Sequence, residues 1–356
     1  MLSRALNTRP KRSPQAGECS LRSTSSIYGY EEFALGYMDD VPLTSFEGYD
    51  IGYSCNSVSK KFSCKNTRNI GNDSESTQMT LRQVLRASVG VLGESPLGMT
   101  EKVVLQGGII CAVKRFRNVL ISKREFGRRI ERVAQIGNQC QYLVPVSAYL
   151  YTKRIKFVVC GYYPMGSLAD LLAGAREQGQ TALQWKHRLK IIQCIAKAIG
   201  YIHSQNPPRE KHLQVNVHGD IKSSNVMIDI DFTAHLSNYG FVQLAENVVD
   251  IDDPGQMVQL STQPERVLCT GTTSRESDVH NLGVVLMDIL GWPNKAGTSS
   301  KAKRNIDCLF EFCVEGRDLK QANMIYEIAL GCIDGVSNAR PTIQQILSCL
   351  EDTLYM

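Results

Sequence analysis

"VHGDIKSSN" (217–225) and, ten residues further on, "HLSNYGFVQL" (235–244) decide how the chain is read. The first string sets an acid, a base and an amide, Asp220, Lys222 and Asn225, close together between apolar runs. Phosphoryl transfer asks for such a set: a carboxylate to orient the acceptor hydroxyl, a cation beside it and an oxygen ligand for a metal. The second string places Asn238 where that chemistry wants an aspartate. The two strings therefore pull in opposite directions.

Composition sets the frame around them. The chain has 356 residues, 43% hydrophobic and 21% charged, which is globular composition with material for two lobes and a tail. A formal net charge of +5 is small for this length and argues against a nucleic-acid partner. Twelve cysteines are scattered with no CxxC pair, as reduced, mostly buried thiols of a cytosolic protein are. No run approaches the ~18 apolar residues of a membrane span, and no secretory h-region is present. These features place the chain in the cytoplasm without a transmembrane segment.

Residues 1–78 are rich in Ser, Asn and Gly, lack apolar periodicity, and carry basic residues first and acidic ones after. Such a segment buries too little apolar surface to offset its ordering entropy, so a disordered regulatory tail is expected over 1–78. From Met79 the texture changes. "EKVVLQGGIICAVKRF" (101–116) reads as two strands around Gly107-Gly108, a hairpin. "SKREFGRRIERVAQI" (122–136) reads as a helix with Phe126, Ile130 and Val133 on one face. "WKHRLKIIQCIAKAIGYIH" (185–203) and "SDVHNLGVVLMDIL" (277–290) read as buried helices. Strands first and helices later give an α+β architecture, a small β-rich lobe joined to a larger helical one.

From about 79 to 352 the chain resembles the protein-kinase domain of plant leucine-rich-repeat receptor-like kinases. The resemblance rests on "CAVKRF", "YPMGSLADLL", "VHGDIKSSN", "QPE", "SDVHNLGVVLMDIL" and "ARPTIQQIL", in the family's order and at compatible spacing. It implies a two-lobed protein-kinase fold with an N-lobe over 79–160, a hinge at 161–163 and a C-lobe over 164–352. It implies a catalytic role for Asp220 with Lys222 beside it, and metal-ligand positions at Asn225 and Asn238. It implies a nucleotide site made by Gly93, Ser95, Gly98, Ala112, Lys114, the gatekeeper Cys160 and the hinge residue Tyr162. Glu265 and Arg340 match a buried ion pair of the larger lobe, and Asp278 matches the anchor of the catalytic loop. The repeats and membrane span of a full receptor are absent from the sequence, so it looks like a cytoplasmic relative.

The departures from the family pattern all weaken catalysis. The phosphate loop reads Gly93-Glu94-Ser95-Pro96-Leu97-Gly98, with Ser95 for the middle glycine and Pro96 removing an N–H donor. Thr100 stands where a valine usually covers the adenine. Arg129 takes the place of the helix glutamate that would pair with Lys114, with Glu125 one turn earlier as its own partner. Asn238 offers a metal one neutral carbonyl in place of a carboxylate. With Lys114 and Arg129 facing Asp220, the site is expected to carry a surplus of positive charge and to repel magnesium. Gly219 replaces the arginine that grips a phosphorylated activation segment in many kinases.

The resemblance and its departures together suggest a pseudokinase. It would be a signalling scaffold or allosteric partner of an active kinase or receptor complex, holding ATP weakly and magnesium poorly. Through such partners it would reach the inner face of the plasma membrane. A slow serine/threonine kinase working through Asp220, Lys114 and Asn225 is the alternative, and a nucleotide-sensing switch without transfer is a third.

Overall fold

A computed structural model of the chain describes residues 41–46, 53–54, 79–117, 119, 121–177, 183–206, 214–244, 273–291 and 315–355. The N-lobe sheet is built from β1 (Thr44–Ser45), β2 (Tyr53–Ser54), β3 (Ser88–Ser95), β4 (Gly98–Val104), β5 (Ile109–Phe116), β6 (Val146–Tyr151) and β7 (Lys156–Cys160). Its strands run antiparallel in the order β1-β6-β7-β5-β4-β3, with β2 pairing the start of β5.

Period-two alternation divides the sheet into two faces. Cys111 and Val113 of β5 and Phe157 and Val159 of β7 are buried in one cluster, with Leu81 and Val84 of the short helix α1 (Leu81–Arg86). Phe116 and Val158 fall on the opposite face and join the main core. The hairpin expected around Gly107-Gly108 joins β4 to β5, and both glycines have positive φ, where a side chain would be strained.

Helix α2 (Lys123–Gly137) starts at Ser122, whose side chain accepts the Glu125 N–H. Its buried stripe of Phe126, Ile130, Val133 and Ala134 follows three- and four-residue spacing, as read from the sequence. The C-lobe holds α3 (Leu168–Glu177), α4 (Trp185–His203), the small sheet of β8 (Val226–Ile228) and β9 (Ala234–Leu236), α5 (Arg275–Leu290), α6 (Gly316–Cys332) and α7 (Ile343–Tyr355). In α4 the positions Ile192, Ile195, Ile199 and Ile202 are fully or almost fully buried in the main core, which makes it the spine of the lobe. Among the described residues no helix is long and apolar enough to cross a membrane.

One expectation is corrected here. Residues 41–46 and 53–54, read from sequence as part of a disordered tail over 1–78, belong to the N-lobe sheet. The Leu43 N–H donates to the Met79 carbonyl at 2.9 Å, and the Phe46 N–H to the Ser147 carbonyl at 3.0 Å. Leu43 is 0% exposed and packs with Met79, Leu81 and Val84. The physical reason is the open edge of β6, whose unpaired backbone groups Thr44 and Ser45 satisfy. A two-residue strand has no periodicity to read, so nothing local announced it. The rest of 1–78 lies outside the described residues.

If 41–46 is part of the lobe, Leu43→Ala must leave a cavity in a packed cluster and cost about 2–5 kcal/mol. Urea denaturation of the two proteins measures this. A loss well under 1 kcal/mol would return the segment to the tail.

Candidate functional site

The site is built upward from a buried carboxylate. Asp278, in the first turn of α5, is 0% exposed. It accepts the backbone N–H of His218 at 2.7 Å and that of Gly219 at 3.0 Å. His203 Nε2, at the end of α4, lies 3.1 Å from it. A buried charge so supplied with donors is tolerable, and removing it would orphan three groups at once. This is the anchoring role expected of Asp278. Gly219 has φ +85, so the glycine is required by the backbone at that point and is more than a lost arginine.

Above the anchor the loop brings the polar residues together as the sequence suggested. Lys222 Nζ pairs with Asp220 Oδ1 at 2.9 Å. Asn225, on the 3-10 turn Ser223–Asn225, donates from Nδ2 to the Asp220 carbonyl at 2.7 Å and to Asp220 Oδ2 at 2.8 Å. With its amide nitrogen so committed, Asn225 presents Oδ1 to the neighbouring segment. There Asn238 Nδ2 donates to it at 2.9 Å. Asn238 sits at φ +65, a conformation that asparagine tolerates better than most residues. The Ser237 N–H and hydroxyl both reach the Asn225 carbonyl, at 2.8 and 3.0 Å, and hold the two asparagines in register.

The consequence is chemical. A carboxylate at 238 would set two oxygen acceptors against each other, an arrangement that a bound cation resolves. The amide N–H of Asn238 resolves it without one. Among the described residues no group of three or more His, Cys, Asp or Glu side chains could hold a metal ion.

The phosphate loop is closed on itself. The β3–β4 ladder continues to the pair Ser95↔Gly98, leaving Pro96-Leu97 as a two-residue turn. Gly93 pairs with Thr100 on the exposed β3 edge, and Glu94 is exposed and paired with Arg117, as expected of a surface charge. Leu97 is only 7% exposed and joins the core cluster that holds Phe116 and Phe126. Gly98 has φ +147, and a Cβ there would lie 1.8 Å from the Arg115 carbonyl oxygen, so no other residue fits. Lys114, 3% exposed, donates from Nζ to Ser95 Oγ at 2.9 Å and to the Gly98 carbonyl at 3.5 Å. Burial lowers the Lys114 pKa, and Asp220 pulls it back up. That Ser95 occupies the lysine was not foreseen; the signal was the hairpin register, which carries residue 95 opposite 98 and residue 100 opposite 114.

Arg129 requires a second correction. It was expected to face the phosphate site beside Lys114. It is buried, its Nε bound to Glu125 Oε1 at 2.5 Å and its guanidinium donating to the Gln243 carbonyl in the turn Phe241–Leu244. The charges acting most on Lys114 are Asp220 and Lys222 instead. The i, i+4 carboxylate of Glu125 neutralises the charge and directs the side chain away. The positive surplus attributed to Arg129 is therefore withdrawn.

At the back of the cleft Ala112 lies in register with Cys160, whose thiol burial pushes up to about 12. The Gly161 N–H donates to the Pro145 carbonyl at 3.1 Å, and Lys102 Nζ lies 5.0 Å above the ring of Tyr162. Arg340 donates to the carbonyls of Asp334 and Glu276 at 2.9 and 3.0 Å. Its expected partner Glu265, and the acidic residues 246–253, lie outside the described residues.

With this geometry in hand the relatives are informative. The profile of the protein tyrosine and serine/threonine kinase family matches residues 88–350. The chain is 35% identical over 212 residues to an Arabidopsis thaliana protein named probable inactive receptor kinase RLK902, covering 59% of this chain and 30% of that one. It is 28% identical over 298 residues to another probable inactive receptor kinase of the same plant, covering 79% and 45%. The chain thus spans less than half the length of these relatives. Among solved structures, the pseudokinase domain of BIR2, an immune regulator of the RLK/Pelle family, matches with TM-score 0.61 at 23% identity, over 80% of this chain and 88% of that one. The maize SIRK1 kinase domain bound to AMP-PNP matches with TM-score 0.58 at 23% identity, over 79% and 98%. Both agree with the two-lobed fold, a β-sheet N-lobe on a helical C-lobe. On the family profile and this fold, the chain belongs to the protein tyrosine and serine/threonine kinase family.

Proposed function

We propose that the chain is a catalytically silent kinase domain, a pseudokinase, that acts by binding an active kinase or a receptor complex as scaffold or allosteric partner. One observation carries the reading: the hydrogen-bonded series Asn238–Asn225–Asp220–Lys222, in which an amide N–H stands where a catalytic site would need a cation. The inactive receptor kinases among the relatives support it. Such a domain works in the cytoplasm and reaches the inner face of the plasma membrane through its partners.

A metal held by neutral oxygens alone loses the attraction of a unit charge, which amounts to several kcal/mol at close range. Here even the neutral oxygen of Asn225 is engaged by Asn238. ATP entering this cleft is held weakly and gains nothing from magnesium. The alternative, a slow serine/threonine kinase, draws on one specific observation: Asp220, Lys222 and Asn225 keep mutual contacts of 2.7–2.9 Å.

Phosphate transfer separates the two. Purified protein incubated with ATP labelled on its terminal phosphate, with magnesium or manganese, should label neither itself nor a generic acceptor. Metal-dependent labelling that disappears in Asp220→Ala would establish the slow kinase and sink the silent reading.

The asparagine pair makes a second demand. Asn238→Asp removes the donor and sets a carboxylate against Asn225 Oδ1, at a cost of about 1–3 kcal/mol. The melting temperature should fall by several degrees without metal and recover when magnesium is added, whereas the unmodified protein should ignore magnesium. An Asn238→Asp protein that melts like the parent in a chelator would show that the amide contact is not replacing a cation.

A further inference from the structure

The cation-free reading proposed above leaves open what the cleft holds, and Ser95 bears on that question. We propose that the Ser95 hydroxyl is a built-in stand-in for a nucleotide phosphate on Lys114, so that the cleft selects phosphate-free purine nucleosides over nucleoside triphosphates. This rests on the absence of a working metal site.

Three features close the phosphate end. Lys114 donates to Ser95 Oγ at 2.9 Å, and Ser95 Oγ in turn lies 3.1 Å from the Gly98 carbonyl, so the hydroxyl accepts from the lysine and donates to the loop. The serine's proton is used on the loop, and Lys114 spends one of its three donors on Ser95 and a second on the Gly98 carbonyl, so a phosphate that takes more than the one remaining donor has to displace the serine. The tip of the loop is pinned as well. Leu97 is buried in the core cluster that also holds Phe116 and Phe126, and the Arg117 N–H donates to the Leu97 carbonyl at 3.1 Å. Pro96 has no N–H to offer, and the ladder carries pairing through Ser95 and Gly98. The turn thus lacks an amide at Pro96, and its Leu97 carbonyl is tied to the chain at Arg117.

Charge points the same way. Around the lysine stand Asp220 and Lys222, which pair with each other at 2.9 Å. Lys114 is left as one net positive charge against the several negative charges of a triphosphate, with no metal to make up the difference. A neutral nucleoside meets no such deficit.

The other end of the cleft is intact. The Gly161 N–H is used on Pro145, and among the described residues neither the Gly161 carbonyl nor the Tyr163 N–H has a partner, an acceptor and a donor two residues apart on the hinge. Ala112 and Cys160, both small, lie in register at the back of the site. A purine edge can use the hinge without touching the Ser95–Lys114 contact.

Calorimetry on the full chain with adenosine, ADP and ATP, each in a chelator and in magnesium, tests the proposal. Adenosine should bind at least as tightly as ATP, and magnesium should change the ATP affinity less than about twofold. Ser95→Gly, which frees Lys114, should raise ATP affinity roughly tenfold relative to adenosine and leave adenosine unchanged. Ser95→Ala, which keeps a Cβ on the strand, should move the ratio in the same direction and guards against a folding defect in the glycine variant. Tenfold tighter ATP than adenosine in the unmodified protein, no binding of adenosine at millimolar concentration, or an unchanged ratio in both variants would each overturn it. Those outcomes without phosphate incorporation leave the silent-kinase reading standing; incorporation is what removes that reading.

Discussion

Asn225 has one end that donates and one that accepts, and its surroundings leave no choice about which way it points. Its nitrogen is held twice by Asp220, so its oxygen must meet residue 238. Whatever stands at 238 then has to donate a proton or share a cation. Asparagine donates, and the rest of the site follows from that. Asp220 needs no metal to balance it because Lys222 lies against it. Lys114 donates to the Ser95 hydroxyl. The side chains of Asp220, Lys222, Asn225, Asn238, Lys114 and Ser95 thus all find partners within the protein.

A similar internal pairing links the two lobes. Arg129 of α2 donates to the Gln243 carbonyl just past the Asn238 segment, while Glu125 neutralises it. Gly240 approaches α2 so closely that a Cβ would come within 2.8 Å of Val133 Cγ2. A helix that catalytic kinases tie to a lysine is tied here to the backbone of the neighbouring segment. The contact fixes the helix and the segment beneath it to each other.

Much of this was legible from residues alone, for identifiable reasons. Helix α4 carries its apolar stripe over nineteen residues, and the β4–β5 hairpin is marked by two adjacent glycines, so strong local patterns announced both. Asp278, Asp220, Lys222, Asn225 and Asn238 were placed by motif spacing, and the structure brings them into one connected group. What escaped the sequence depended on contacts between distant segments. Thr44–Ser45 is a strand only because β6 offers an open edge a hundred residues away. The direction of Arg129 is set by a carboxylate one turn back and a carbonyl in the other lobe. Ser95 reaches Lys114 across two strands, a pairing that needs the ladder register and not the motif.

The central claim, that an asparagine amide does the work of a cation, is open to direct observation by NMR. Manganese titrated into nitrogen-15-labelled protein in the presence of ADP broadens any amide close to a bound ion. The side-chain NH2 signals of Asn225 and Asn238 should persist unbroadened, because their mutual hydrogen bond leaves no seat for the metal. Saturable broadening that is strongest at those two signals and falls off with distance from them would place a cation between them and contradict the account.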